Sequence, residues 1–187
     1  MQGNFAMATI ILMMVLILLR VVLMRKVGIE VMRFAETDKK DFLLPPFAFL
    51  YFYLVFASAL NLPKFGVELF SNEVIGWIGV VLCILGLIFI LLSLISFGKS
   101  FRIGIDMDKP DALVTTGAFA ISRNPLYTSF AIILFGIFLI FPNWVLLMYF
   151  FAGIWAFNRQ VLREEASLRR IYGEEYEKYC KNVRRYL

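Results

Sequence analysis

The sequence predicts an all-α, polytopic integral membrane protein with about five transmembrane helices. Three observations predict it. The chain of 187 residues is 61% hydrophobic, with a mean hydropathy of +0.79, where a soluble domain would be nearer half apolar. Its apolar residues fall in continuous blocks that approach the roughly 20 residues needed to span a bilayer, not in the alternating short segments of a spanning β-barrel. Its lysines and arginines are one-sided. With five crossings, the first loop, the long central loop and the tail share a side that holds every Lys and Arg except Lys64. That side is expected to be cytoplasmic, with the N-terminus outside and the C-terminus inside.

The first block runs from Phe5 to about Met24, with Arg20 near its end able to snorkel to the interface. No positive segment precedes it, so no cleaved signal peptide is expected. A charged loop follows, holding Arg25, Lys26, Arg33, Lys39 and Lys40. Pro45 and Pro46 suit the first turn of a second helix, which should run to about Leu62. Block three covers Val74 to Phe97. Its Gly79, Cys83 and Gly86 recur at helical spacing, which is a close-packing face. Gly98 to Ser122 is a polar loop, long for a link between packed helices, and such loops are often functional.

Blocks four (Pro125 to Phe141) and five (Trp144 to Phe157) read as a short antiparallel hairpin turned at Pro142-Asn143. The tail from Asn158 onward is charged and helical in pattern. Val161, Leu168, Tyr172, Tyr176 and Tyr179 share one face of its wheel, with Glu164 and Glu165 on the flanks. Arg159, Arg163 and Arg170 point the other way, and Gly173 is placed to end a first tail helix. Two regions emerge: a scaffold of three spans over 1–97, and a region over 98–187 that collects the unusual chemistry.

Composition removes several function classes. With no histidine and two cysteines, Cys83 mid-block and Cys180 in the tail, neither a metal site nor a disulfide between them is expected. A general base has to be a carboxylate, a tyrosine, a lysine or the substrate itself. Neither GxGxxG nor GxxxxGK[ST] occurs. The basic residues are those of positive-inside loops, so the expected partners are membrane lipids, and nucleic acid is not expected.

The chemistry concentrates in Leu113 to Tyr127, LVTTGAFAISRNPLY. Asn124-Pro125 is a helix-start signal, with Asn as N-cap and Pro at the next position. A helix N-terminus there would offer free N–H groups to a carboxylate or phosphate. Glu164 and Glu165, beside an apolar face, are candidates for partial burial near a membrane.

These motifs carry a resemblance. LVTTGAFAISRNPLY, then an apolar hairpin, then REEASLRRIYGEEYEKYCKNVRRYL resembles the isoprenylcysteine carboxyl methyltransferase family, part of a wider group with the phospholipid methyltransferases. The resemblance covers roughly 101–187. It implies an integral membrane enzyme that uses S-adenosylmethionine without a Rossmann domain and takes a lipophilic small molecule or a lipidated substrate as its partner. Carried over by motif, Asp111, Ala112, Leu113 and Val114 line the cofactor, mainly through backbone, and Phe119 stands at a position that is often aromatic. Asn124, Pro125, Leu126 and Tyr127 match the family's RHPxY segment, and Glu164 contacts the cofactor's cationic end. Arg123 and Tyr127 order the site. Arg159, Gln160 and Arg163 lie where a basic residue meets the acceptor's carboxylate.

Two positions depart from the pattern: Asn124 replaces a histidine and Gln160 replaces the basic residue. Methyl transfer tolerates the first change, because the sulfonium is already activated and the protein mainly supplies alignment. A carboxylate acceptor, with a pKa of about 4, needs no base, whereas an amine must first lose a proton. Carboxyl O-methylation of a prenylcysteine-like acceptor is therefore favoured, with lipid amine N-methylation and a non-catalytic scaffold as alternatives. The expected location is a bacterial or archaeal cytoplasmic membrane, with the site facing the cytosol.

Overall fold

Each apolar block folds into one helix, as its composition requires: a backbone surrounded by lipid must satisfy its own hydrogen bonds. The computed structural model describes residues 1–26, 44–62, 66–98 and 112–187. Six α-helices occur among them: α1 (Gln2–Lys26), α2 (Leu44–Ala59), α3 (Glu73–Phe97), α4 (Pro125–Ile140), α5 (Trp144–Tyr172) and α6 (Glu174–Asn182), with a 3-10 turn at Gly117–Ala120 before α4. Asn72 caps α3 by accepting from the Val74 and Ile75 amides at 3.0 and 3.2 Å. Asn143 caps α5 in the same way through the Val145 amide at 2.7 Å, which fixes the tight turn expected at Pro142-Asn143.

Three helices, α1, α3 and α5, are long and apolar enough to cross a membrane; α2 and α4 are shorter apolar helices. At 16 residues α4 is about 24 Å long. The last apolar block and the beginning of the tail, set apart in the sequence at Phe157, are one continuous helix of 29 residues. Nothing between Asn158 and Tyr172 breaks it, since neither Gly nor Pro occurs there. Gly173, at φ +50°, ends it as expected. The three acidic residues at the start of α6 then suit that helix's positive end.

Contacts fix the helix directions. Gln2 donates to the Glu73 carbonyl at 2.9 Å, Phe5 meets the ring of Trp77 edge-on, and the Arg20 guanidinium donates to the Gly98 carbonyl. α1 and α3 therefore run parallel. α3 and α4 run antiparallel, Gly79 lying against Gly136 and Gly86 against Ile133. The ends of α1 and α3, the start of α4 and the polar part of α5 thus meet at one end of the bundle.

The α3–α4 seam is the tightest packing in the core. A Cβ added to Gly136 would lie 2.8 Å from the Gly79 carbonyl oxygen and 2.9 Å from Cys83 Sγ; one added to Gly79 would lie 2.5 Å from the Gly136 carbonyl oxygen. The Gly79, Cys83 and Gly86 stripe is therefore a packing face. In lipid the attraction between helices comes from such close contact, because the tails are as apolar as the side chains. Gly136→Val should destabilise the detergent-solubilised protein by about 1–3 kcal/mol through overpacking. Leu85→Ala, on the exposed side of α3, should leave the melting temperature close to wild type. Thermal unfolding of both variants checks this.

Candidate functional site at one end of the bundle

The chain approaching α4 is anchored before it reaches the site. Gly117 adopts φ +63°, which lets the 3-10 turn fold against the end of α3. The Ala118 amide donates to Ser96 Oγ at 2.9 Å, and the Phe119 ring packs edge-on against Phe97 with centroids 4.7 Å apart. The Phe119 carbonyl accepts from the Tyr179 hydroxyl at 2.6 Å. Burial pushes that hydroxyl up to about 12, so it remains a neutral donor.

Glu165 is the hub of the polar network at this end. Its side chain is 3% exposed. Arg123 Nε and Nη2 donate to Oε1 at 3.2 and 3.0 Å, and Asn124 Nδ2 donates to the same oxygen at 3.2 Å. Arg185 Nε and Nη2 form a second fork on Oε2 at 3.1 and 2.9 Å. Burial alone would raise this carboxyl. The bonds from Arg185 and Arg123 outweigh burial and hold it below its ordinary value of 4.5.

Glu164, one residue earlier, has a different environment. The Tyr127 hydroxyl donates to Oε1 at 2.6 Å and Gln160 Nε2 donates to the same atom at 3.1 Å. Both donors are neutral, and no cation from the described residues shifts its titration. Desolvation raises the carboxyl above its ordinary value, and the bonds from Tyr127 and Gln160 offset this only in part. Part of its surface is nevertheless accessible. A partly accessible carboxylate held by neutral donors is suited to receive a cation.

The structure joins Tyr127, Gln160 and Glu164 directly, and places Arg123 and Asn124 one turn of α4 away. Asn124 corrects the expectation drawn from Asn-Pro. It occupies the N-cap position, but its side chain does not cap α4. The amide donates instead to Glu165 and to the Arg185 carbonyl at 3.1 Å. Holding Nδ2 on these two acceptors fixes the side chain in an orientation in which Oδ1 accepts from no amide of the first turn. Pro125 is buried at the first helical position as expected, and Leu126 packs against the core.

Phe119 is 7% exposed and serves as a packing anchor on α3. Ala112 is exposed and Leu113 and Val114 are half-buried, outside any helix; Asp111 lies outside the described residues. Arg159 lies over the Trp155 ring at 5.9 Å, and Arg163 is exposed on the same helix. Sequence reasoning missed Arg185, Ser122 and Thr128. The one local signal was the Arg184-Arg185 pair, and positive-inside bias explained it equally well. Among the described residues, no group of three or more His, Cys, Asp or Glu side chains is placed to hold a metal.

Fold and site define an all-helical membrane protein with a polar, carboxylate-bearing site at one end of its helix bundle. The chain belongs to the phospholipid methyltransferase family, whose model matches residues 74–175, more than half of its length. Within that family its likeness is to the isoprenylcysteine carboxyl methyltransferases. It is 30% identical over 119 residues to a protein of Oryza sativa subsp. indica named "probable protein-S-isoprenylcysteine O-methyltransferase", covering 62% of each chain. It is 32% identical over 94 residues to the protein-S-isoprenylcysteine O-methyltransferase of Schizosaccharomyces pombe, covering 49% of this chain and 40% of that one. The chain thus spans less than two thirds of the length of these relatives. Its fold is similar to that of a eukaryotic intramembrane Ras methyltransferase, isoprenylcysteine carboxyl methyltransferase, with a TM-score of 0.61 at 20% identity, covering 88% of this chain and 58% of that one.

The depressed Glu165 carboxyl has a measurable consequence. Its contribution to stability is fully present above its unfolded value, near 4.5, and is lost as pH falls through the lower folded value. Glu165→Gln should leave two guanidinium groups without their shared anion, a loss on the order of 3 kcal/mol. Wild type should lose melting temperature as pH falls below 4.5, and the variant should lack the part of that drop due to Glu165. Melting curves from pH 7 down to pH 3 test both expectations.

Proposed function

We propose that this chain is an integral membrane enzyme that transfers the methyl group of S-adenosylmethionine to a lipophilic acceptor. The observation that carries the proposal is Glu164: a desolvated, accessible carboxylate held by Tyr127 and Gln160 with no described cation shifting its titration. The residues fit the cofactor, whose sulfonium and ammonium groups are both cationic. When bound, the cofactor supplies a methyl group already activated for in-line displacement. The chain's own work is then to bind and align.

Glu164 receives the cofactor's cationic end, and Tyr127 fixes the carboxylate by its hydroxyl. Ala112, Leu113 and Val114, with Asp111, line the cofactor through backbone. Arg123 and Asn124 order the start of α4, and Arg159 and Arg163 steer an anionic acceptor. Residues 1–97 act as scaffold and 98–187 as the catalytic region. In this reading α2 and α4 also cross the membrane, giving five spans with the site on the cytosolic side. The rice and fission-yeast relatives are eukaryotic, so the expectation of a bacterial or archaeal membrane gains no support from them.

The favoured reaction is carboxyl O-methylation of a prenylcysteine-like acceptor. The site has no histidine, and Glu164 is committed to the cofactor, so an acceptor already ionised at neutral pH suits it best. A second reading, N-methylation of a lipid amine, is favoured by Gln160, which puts a neutral amide where a cation would meet a carboxylate.

Calorimetry with S-adenosylhomocysteine on detergent-purified protein tests the proposal, and no binding at millimolar ligand would sink both readings. Glu164→Gln should weaken binding at least tenfold, about 1.4 kcal/mol. Because the free carboxyl titrates above 4.5, wild-type affinity should fall as pH drops through that raised value, and the variant's should not. Transfer of labelled methyl into lipid extracts chooses the acceptor, since base-labile label marks an ester and base-stable label an amine.

A further inference from the structure

The last turn of α6 and the residues after it make a second set of contacts that the proposed chemistry does not use. After Asn182 the chain turns extended, with Val183 at φ −126° and ψ 135°. The chain from Cys180 to Arg185 is then bound by the residues that lead into α4. The Arg123 amide donates to the Arg184 carbonyl at 3.0 Å, and Arg123 Nη1 donates to the carbonyls of Cys180 and Val183 at 3.2 and 2.9 Å. Asn124 Nδ2 and Ser122 Oγ donate to the Arg185 carbonyl at 3.1 and 3.3 Å. All these acceptors are main-chain oxygens. The ionic contact made by a side chain of this segment is the fork of Arg185 on Glu165.

Glu165 is the residue after Glu164, and Asn124 lies one helical turn before Tyr127. α4 and α5 are therefore pinned together twice within one turn: by Arg123 and Asn124 on Glu165, and by Tyr127 on Glu164. A change in the first pin moves the second. We propose that residues 180–185 form a latch, held shut by Glu165 between Arg123 and Arg185, that positions Glu164 against Tyr127. Glu165 and Arg185 are positioning residues, and their role rests on the proposed methyltransferase function. Binding at Glu164 and closure of the latch then favour each other equally, because coupling between sites is reciprocal.

The chain carries its own reporter. Cys180 sits in the latch, half-buried and free, while Cys83 is 0% exposed in the α3–α4 seam. Alkylation of the detergent-purified protein by N-ethylmaleimide should thus read Cys180. Arg185→Ala should speed that reaction at least tenfold and weaken S-adenosylhomocysteine at least fivefold. Arg185→Lys should recover part of both losses, and Lys178→Ala, an exposed cation on α6, should match wild type in both. Glu165→Asp, which shortens the fork without removing the charge, should fall between wild type and Arg185→Ala. Saturating ligand should slow alkylation in wild type and protect far less in Arg185→Ala. An unchanged alkylation rate in Arg185→Ala overturns the latch. Faster alkylation with unchanged ligand affinity overturns the positioning role. If wild type binds no ligand, the proposed function fails, and the latch stands or falls on the ligand-free rates.

Discussion

A carboxylate with almost no solvent contact is tolerable only if other charges replace the water it has lost. Glu165 meets that demand with two guanidinium forks and an amide. Those donors come from the start of α4 and from the last residues of the chain, while the carboxylate itself sits on α5. Three segments that are remote in sequence are thus brought to one point. Removing either arginine would leave a buried charge underpaired, so the arrangement tends to hold as a whole or fail as a whole. The other end of the bundle needs no such device: there the chain simply turns at Pro142-Asn143, with the cap of Asn143 on α5.

Glu164 and Glu165 show how one helix gives the same side chain two environments. Consecutive helical residues point about 100° apart. That angle turns Glu165 towards the arginines and Glu164 towards Tyr127 and Gln160. The charged donors lower one carboxyl while desolvation raises the other. Neighbouring titratable groups pushed apart in this way commonly divide structural from chemical work. Here Glu165 already has its cations. Glu164 is held by neutral donors, and that difference makes it the candidate for ligand binding.

Much of the fold was legible in the sequence because it is local. Continuous apolar blocks gave the helices, Gly173 gave the break before α6, and the spacing of Gly79, Cys83 and Gly86 gave a close-packing face, whose partner α4 only the structure shows. Continuity of α5 through Asn158 was harder to see, since hydropathy changes there while helix propensity does not. The motifs grouped Tyr127 and Glu164 as residues of one site, but the bond between them was not legible there. The part that stayed hidden is long-range and electrostatic. Asn124 looks like a cap because caps are a local rule, but a carboxylate forty-one residues away claims its amide. Nothing near Arg185 in the sequence shows that it reaches Glu165 and not the lipid headgroups.

Helix lengths connect the packing to the proposed chemistry. From Trp144 to Glu164 α5 rises about 30 Å, the thickness of a bilayer's hydrocarbon core. With Trp144 at one interface, as interfacial tryptophans commonly lie, Glu164 reaches the opposite one. α4 is shorter than that thickness, so its first turn, with Tyr127, sits at or just below the level of Glu164. In the proposed function Glu164 then lies where water and hydrocarbon meet. The charged, soluble cofactor would approach it from the aqueous side, and an acceptor with a long apolar group from the bilayer. A carboxylate deep in the bundle would deny the first, and one on an extended tail would deny the second. Glu165 and the latch hold the two glutamates at this boundary without adding bulk on the lipid side, because their contacts lie on the end of the bundle and not on its flank.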